Sequence, residues 1–212
     1  MNPAFELSEY QRRLTKVRTA MSDKELDALV IGDPANMNWL TGFDAWSFYV
    51  PQVMLVLHDH PPVWLGRQMD AGSVALTTHL GSESVRPYAE DLVQRDGVHP
   101  MDAIGTSLAE FHLEGKRVGF ESDTYFFSFK AVERLQAKLS GAIWVDADLL
   151  VNWCRAVKSD VEIEAMRGAA RIASHVMTLA VEHIAPGVLQ CDLVAKVLAA
   201  QVSGIDGLGG DT

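Results

Sequence analysis

Apolar positions recur along this chain with two periods, and the switches between them mark out its elements. In residues 8–21, Tyr10, Leu14, Val17 and Met21 share one face at helical spacing, which predicts an amphipathic helix. Ser8 and Gln11 have the Ser-x-x-Gln spacing of a capping box, so that helix is expected to begin at Ser8. Residues 26–31 (LDALVI) form a short apolar run ended by Gly32, as a buried strand does. Asp33-Pro34 then supplies an N-cap and a proline for the first position of a short helix ending near Gly42. Residues 53–57 (VMLVL) and 63–65 read as strands joined through His58-Asp59-His60-Pro61-Pro62, a hairpin. Helices are predicted over residues 70–78, 101–113 and 128–139, and strands over 84–88, 117–121 and 143–145. This alternation predicts a layered α/β domain closing near residue 152.

A different pattern follows. Ser159-x-x-Glu162 is a second capping box, and Ile163, Met166, Ala170, Ala173, Met177, Ala180 and Ile184 hold one face until Pro186-Gly187. A further helix is predicted over residues 190–202, with Gly204 as its C-terminal cap. These two helices carry apolar faces, and no strand pattern follows to cover them. The expected organisation is an N-terminal α/β domain over 1–152, a linker over 153–158, and the start of an incomplete α+β domain over 159–212.

Charge and composition narrow the partners. A net charge of −10 and a pI near 5.1 argue against nonspecific association with nucleic acid or anionic membrane. No apolar run reaches the ~18 residues a bilayer span requires. The first residues, MNPAFELSEYQRR, lack a basic head and apolar core of a secretory signal, so a cytoplasmic location is expected. Cys154 and Cys191 are distant in sequence and are expected to be buried, reduced thiols.

Two segments carry a family resemblance. Lys158-Ser159-x-x-Glu162-Ile163-x-x-Met166-Arg167 resembles the opening of the second domain in the creatinase, prolidase and aminopeptidase P family. Asn36-Met37-Asn38-Trp39-Leu40-Thr41-Gly42-Phe43 is similar to a segment of that family's first domain. The resemblance implies a creatinase-like N-terminal domain followed by the first helices of a pita-bread catalytic domain. Within the family, residues 44–52 (DAWSFYVPQ), 66–70 (GRQMD) and 151–159 (VNWCRAVKS) are similar to ectoine hydrolases. That likeness implies a hydrolase opening the cyclic amidine of ectoine to N-acetyl-diaminobutyrate, acting as a homodimer on a small-molecule substrate. By family layout the catalytic histidine and glutamates, and any metal ligands, lie beyond Thr212. No catalytic residue, metal site or cofactor is therefore expected in this chain, which alone is expected to be inactive.

Trp46, Phe48, Tyr49 and Gln52 are the candidate substrate-binding residues, placed by the resemblance in a loop that reaches a site across the dimer. Aromatic faces attract a small cyclic cation by ~0.5–2 kcal/mol, and Gln52 or the Tyr49 hydroxyl could serve a polar rim. The same aromatics could instead be core or dimer packing. Arg67 and Asp70 read as a structural pair at a strand-to-helix turn. His58 and His60 have the spacing of a metal pair, but they sit in a hairpin turn with no third ligand nearby. His175 and His183 are not at i, i+4, and Glu162 and Glu164 are accounted for as capping and first-turn charges. Gly207-x-Gly209-Gly210 follows a helix and lacks the Lys-Ser/Thr tail of a phosphate loop, and no Gly-x-Ser-x-Gly elbow is present. Two other readings stay open: a Xaa-Pro dipeptidase or aminopeptidase with two divalent metals in the remaining domain, and a binding or assembly module without enzymatic activity.

Overall fold

Strand β1 (Ala28–Ile31) is buried at all its positions, and a sheet extends from it in both directions. The computed structural model describes residues 3–45, 47 and 49–209. On one side of β1 lies β2 (Val53–Leu57), antiparallel, then β3 (Val63–Arg67), antiparallel to β2, then β4 (Val85–Tyr88), parallel to β3. On the other side lie β5 (Arg117–Phe120) and β6 (Ile143–Asp146), both running with β1. The six-stranded order is thus β4-β3-β2-β1-β5-β6.

Strand alternation sends side chains to two separate cores. Leu29, Ile31, Met54, Val56 and Trp64 face α1 (Leu7–Asp23), α2 (Pro34–Thr41) and α6 (Leu150–Ala156). Val74 of α3 (Ala71–Thr77) joins the same core. Ala28, Val30, Val53, Leu55 and Val118 face α4 (Pro100–Ala109) and α5 (Phe129–Lys138). Asp33 caps α2 through its side chain, and Gly42 ends it at φ 84°, a left-handed conformation that a side chain would oppose. The sheet and these helices belong to one compact unit, Met1–Ala156.

The second unit, Val157–Thr212, contains α7 (Asp160–His183) and α8 (Gln190–Ser203) packed together. Ser159 and Glu162 form the anticipated capping box, with the Ser159 amide donating to the Glu162 carboxylate at 2.7 Å. Gly204 caps α8, its amide donating to the Ala200 carbonyl. Val176 and Ala200 are buried, whereas Met166, Met177, Ile184 and Leu198 are exposed. No helix among the described residues is long and apolar enough to cross a membrane.

Three expectations are corrected. Helix α1 starts at Leu7 with Glu6 in the cap position and no side-chain cap; Ser8 already has helical backbone, so its hydroxyl cannot cap. Residues 153–156 are helical, as part of α6, because Leu150, Val151 and Cys154 bury one face against the first core. Cys154 is buried and burial pushes its thiol pKa up, but Cys191, on the first turn of α8, is exposed.

Sequence periodicity also passed over Arg13, which is 1% exposed. Its guanidinium is held by Glu9 Oε1 at 2.9 Å and donates to the Trp39 carbonyl at 2.7 Å, fastening α1 to α2. It also lies over the Phe5 ring at 4.4 Å, a cation–π contact. Removing the counter-ion of a buried charge destabilises by ~3–5 kcal/mol. Glu9→Ala is therefore expected to lower unfolding free energy by about 3 kcal/mol in urea titration, well above an ordinary surface substitution.

Candidate functional site

Parallel neighbours β1 and β5 end at the same edge of the sheet, and the chain leaves them in opposite directions. After β1 it turns into α2, against the first core; after β5 it passes through residues 121–128 into α5, against the second. Such a divergence opens a crevice beyond the carboxyl ends of the strands, the usual ligand position in open α/β sheets. Because β2 runs antiparallel to β1, the loop preceding β2 reaches this edge too.

A cavity of about 440 Å³ occupies the crevice, lined by Gly32 after β1, Ser47 and Tyr49 to Gln52 before β2, Tyr125, Phe126 and Ser128 after β5, and the start of α4. Gly32 permits close packing: a Cβ there would meet the Phe127 ring at 2.7 Å. The loop before β2 is pinned by the Ser47 hydroxyl donating to the Val50 carbonyl at 2.8 Å and the Tyr88 hydroxyl donating to the Pro51 carbonyl at 2.6 Å. Burial raises the Tyr88 pKa, keeping that hydroxyl a donor. Arg67 forms a two-pronged ion pair with Asp70, at 3.1 and 3.0 Å, which raises the Arg67 pKa.

Gln52 is 5% exposed, yet neither polar atom of its carboxamide has a hydrogen-bond partner among the described residues. Leaving such a group unpaired costs ~1–3 kcal/mol. Across the cavity, His99 caps α4, with Nδ1 accepting from the Met101 amide at 3.1 Å. Burial lowers its pKa, and Nδ1, being the acceptor, leaves the ring proton to Nε2. Ser128 caps α5 by accepting from the Ala131 amide at 3.1 Å. The positive ends of two helices thus border one cavity.

Of the candidate substrate-binding residues, Tyr49 and Gln52 line this cavity together, Tyr49 being 63% exposed and Gln52 buried. Trp46 and Phe48 lie outside the described residues. His99, Arg95 and Tyr125 belong to the cavity but were not singled out by sequence. The readable signals were His99-Pro100, a cap with proline in the first turn, and the aromatic run from Tyr125 to Phe129. His58 and His60 serve the hairpin: one ring nitrogen of each bonds a carbonyl, Leu26 and Pro61 respectively, at 2.8 Å. No cluster of three or more potential metal ligands occurs among the described residues.

On the α2 side of the same strand ends lies a buried polar network. Asn36 Nδ2 donates to Glu121 Oε1 at 2.6 Å and to Asn152 Oδ1 at 2.8 Å, while Asn36 Oδ1 accepts from Arg155 Nη1 at 2.6 Å. One asparagine thereby ties the end of β5 to α6, joining two segments that carried the family resemblance. Glu121 is 1% exposed, and desolvation pushes its pKa up to about 7, opposed by the Asn36 hydrogen bond and reinforced by Asp33.

An open α/β sheet with its crevice at the strand carboxyl ends defines the class of the first unit. Residues 13–157 match the Creatinase/Prolidase N-terminal domain, and the chain belongs to that family. It is 42% identical over 201 residues to an ectoine hydrolase of Halomonas elongata, covering 94% of this chain and 50% of that protein. It is 41% identical over 207 residues to an uncharacterized hydrolase/peptidase of Sinorhizobium fredii, covering 97% and 53%. The chain thus spans about half the length of the curated relatives it matches. A Xaa-Pro dipeptidase from Bacillus anthracis shares the fold, with a TM-score of 0.68 at 16% identity over 90% of this chain and 48% of that one.

Glu121 supplies a pH prediction. Its folded pKa of about 7 exceeds the ordinary 4.5, so the folded state holds the proton more tightly between those values. Stability must then fall as pH rises through this window, by on the order of 3 kcal/mol from this residue alone. Glu121→Gln is expected to remove that slope; unfolding free energies of both proteins between pH 4.5 and 7.5 measure the difference.

Proposed function

We propose that this chain is the N-terminal part of a C–N bond hydrolase whose substrate is ectoine. The observation that carries this reading is the 42% identity to an ectoine hydrolase over nearly the whole chain. The cavity adds physical support, because Tyr49 and Gln52 both line it. In this reading residues 1–152 form a substrate-facing and dimer-forming domain, and residues 159–212 begin the catalytic domain.

The reacting groups belong to the rest of the protein. There a general base activates water for attack on the amidine carbon, and hydrogen-bond donors stabilise the tetrahedral intermediate as the ring opens to N-acetyl-diaminobutyrate. The work of this chain is binding: Tyr49, with Trp46 and Phe48 of the same loop, walls the ring across a homodimer, and Gln52 meets its polar edge. The chain holds no cofactor of its own and engages neither nucleic acid nor membrane, in keeping with a cytoplasmic enzyme of a small solute.

Full-length protein assayed against ectoine and a proline dipeptide, each with and without a chelator, tests the assignment. Ectoine turnover is expected; chelator-sensitive hydrolysis of the dipeptide alone would establish the metallopeptidase alternative. Turnover of neither substrate would favour the non-enzymatic binding module. In the full-length enzyme, Tyr49→Ala is expected to weaken ectoine affinity by ~2- to 30-fold, the range of one cation–π contact. Unchanged KM and kcat would remove Tyr49 from the site.

A further inference from the structure

We infer that β6 is an interface strand, whose outer edge pairs antiparallel with β6 of a second copy of this chain about a two-fold axis at Trp144. The inference names a surface for the homodimer of the reading above and does not depend on ectoine as the substrate.

The first observation is the backbone of β6. Its pairing with β5 uses the odd-numbered residues: the Ile143 amide donates to the Lys116 carbonyl at 2.8 Å and the Ala147 amide to the Phe120 carbonyl at 2.9 Å. Trp144 and Asp146 therefore direct their amides and carbonyls outward, where β6 ends the sheet. No backbone group among the described residues pairs with them there. The opposite edge is protected by its sequence, since β4 contains Pro87, which has no N–H, beside the charged Arg86. Strand β6 reads IWVD, with neither proline nor lysine, and its Ile143 side chain is 51% exposed.

The second observation is that β6 complements itself. An axis at Trp144 sets Trp144 opposite its own copy, Ile143 opposite Val145, and Ala142 opposite Asp146. The two Trp144 residues then exchange amide-to-carbonyl bonds, and each Asp146 amide donates to the facing Ala142 carbonyl. Ile143 and Val145 point to the face of the first core, where Val145 already packs. As a pair without hydrogen bonds they approach most closely, so the exposed isoleucine gains an apolar cover. The one charged side chain of the strand, Asp146, meets Ala142 and not another charge; its carboxylate accepts from the Ser122 hydroxyl at 2.6 Å and the Asp148 amide at 2.7 Å. Neighbouring registers do less well. An axis at Ile143 would set the Trp144 carbonyl against the Ala142 amide, already spent on the Leu139 carbonyl at 3.0 Å. An axis at Val145 would leave Ile143 uncovered. One short edge buries less than the ~1,200 Å² of a standard interface, so the dimer is expected to be weak and concentration-dependent.

Sedimentation velocity of the 212-residue chain, from micromolar to millimolar concentration, tests this interface. A monomer–dimer equilibrium is expected. Ile143→Lys should weaken it by roughly tenfold or more with the circular dichroism unchanged, because a charge on an edge opposes strand addition. Met177→Lys, on the exposed apolar face of α7, should leave it unaltered. In a Cys191→Ser background, Ile143→Cys combined with Val145→Cys should give a disulfide-linked dimer on oxidation, whereas neither cysteine alone should, since only the mixed pair lies within bridging distance. The cysteine pair decides the matter should Ile143→Lys fail to fold. A chain monomeric throughout, a dimer indifferent to Ile143→Lys, a dimer lost in Met177→Lys, or cross-linking by a single cysteine would each overturn the inference. Ectoine turnover by a full-length protein that dimerises elsewhere would sink this interface and leave the hydrolase assignment standing; pairing through β6 without turnover would do the reverse.

Discussion

The parting of the chain after β1 and β5 is the constraint on which this structure rests. Two strands run side by side in one direction, and their successors pack on opposite faces of the sheet. Backbone amides and carbonyls that would continue the ladder have no further strand to pair with, so the ends must be satisfied locally. Asp33 and Ser128 begin the helices that follow, accepting from the first-turn amides of Ala35 and Asn36 and of Ala131. The crevice is the space that those two departures leave, bounded by polar caps because helices must begin there.

Polar groups on the two sides of this edge are treated differently. On the α2 side, Asn36 uses both donors and its acceptor, so the cluster with Asn152 and Arg155 acts as an internal tie. The carboxyl of Glu121 enters that tie at the expense of desolvation, which makes it hold its proton at pH values where a surface glutamate would not. On the cavity side, Gln52 is buried to a similar degree without any such compensation. The difference is one of degree: Glu121 Oε2 also lacks a partner among the described residues, whereas Gln52 lacks one at both polar atoms of its carboxamide.

Much of the architecture was legible because the central strands β1, β2 and β3 are short and largely apolar, and because Asp33-Pro34 and Ser159-x-x-Glu162 are unambiguous starts. Ser8 misled because cap spacing says nothing about backbone angles, and the extended residue there is Glu6. Helix α6 escaped notice because seven residues are too few to establish a period, and its burial comes from α1 and α2, far away in sequence. Family resemblance brought Tyr49 and Gln52 forward as candidates. His99 and Tyr125 could not be joined to them, since only the sheet topology brings residues near 50, 99 and 125 to one edge. The protonation of Glu121 was hidden for the same reason: its sequence neighbours are ordinary, and its anomaly arises from burial in the folded chain, reinforced by Asp33.

The two apolar clusters lie on opposite faces of a single sheet, and the cavity borders only the one packed with α4 and α5. A mutation that reshapes the cavity wall through those helices need not disturb the layer that holds α1, α2 and α6 together. The lining of the cavity is therefore free to vary along a single flank of the molecule, with the opposite flank serving as an inherited chassis.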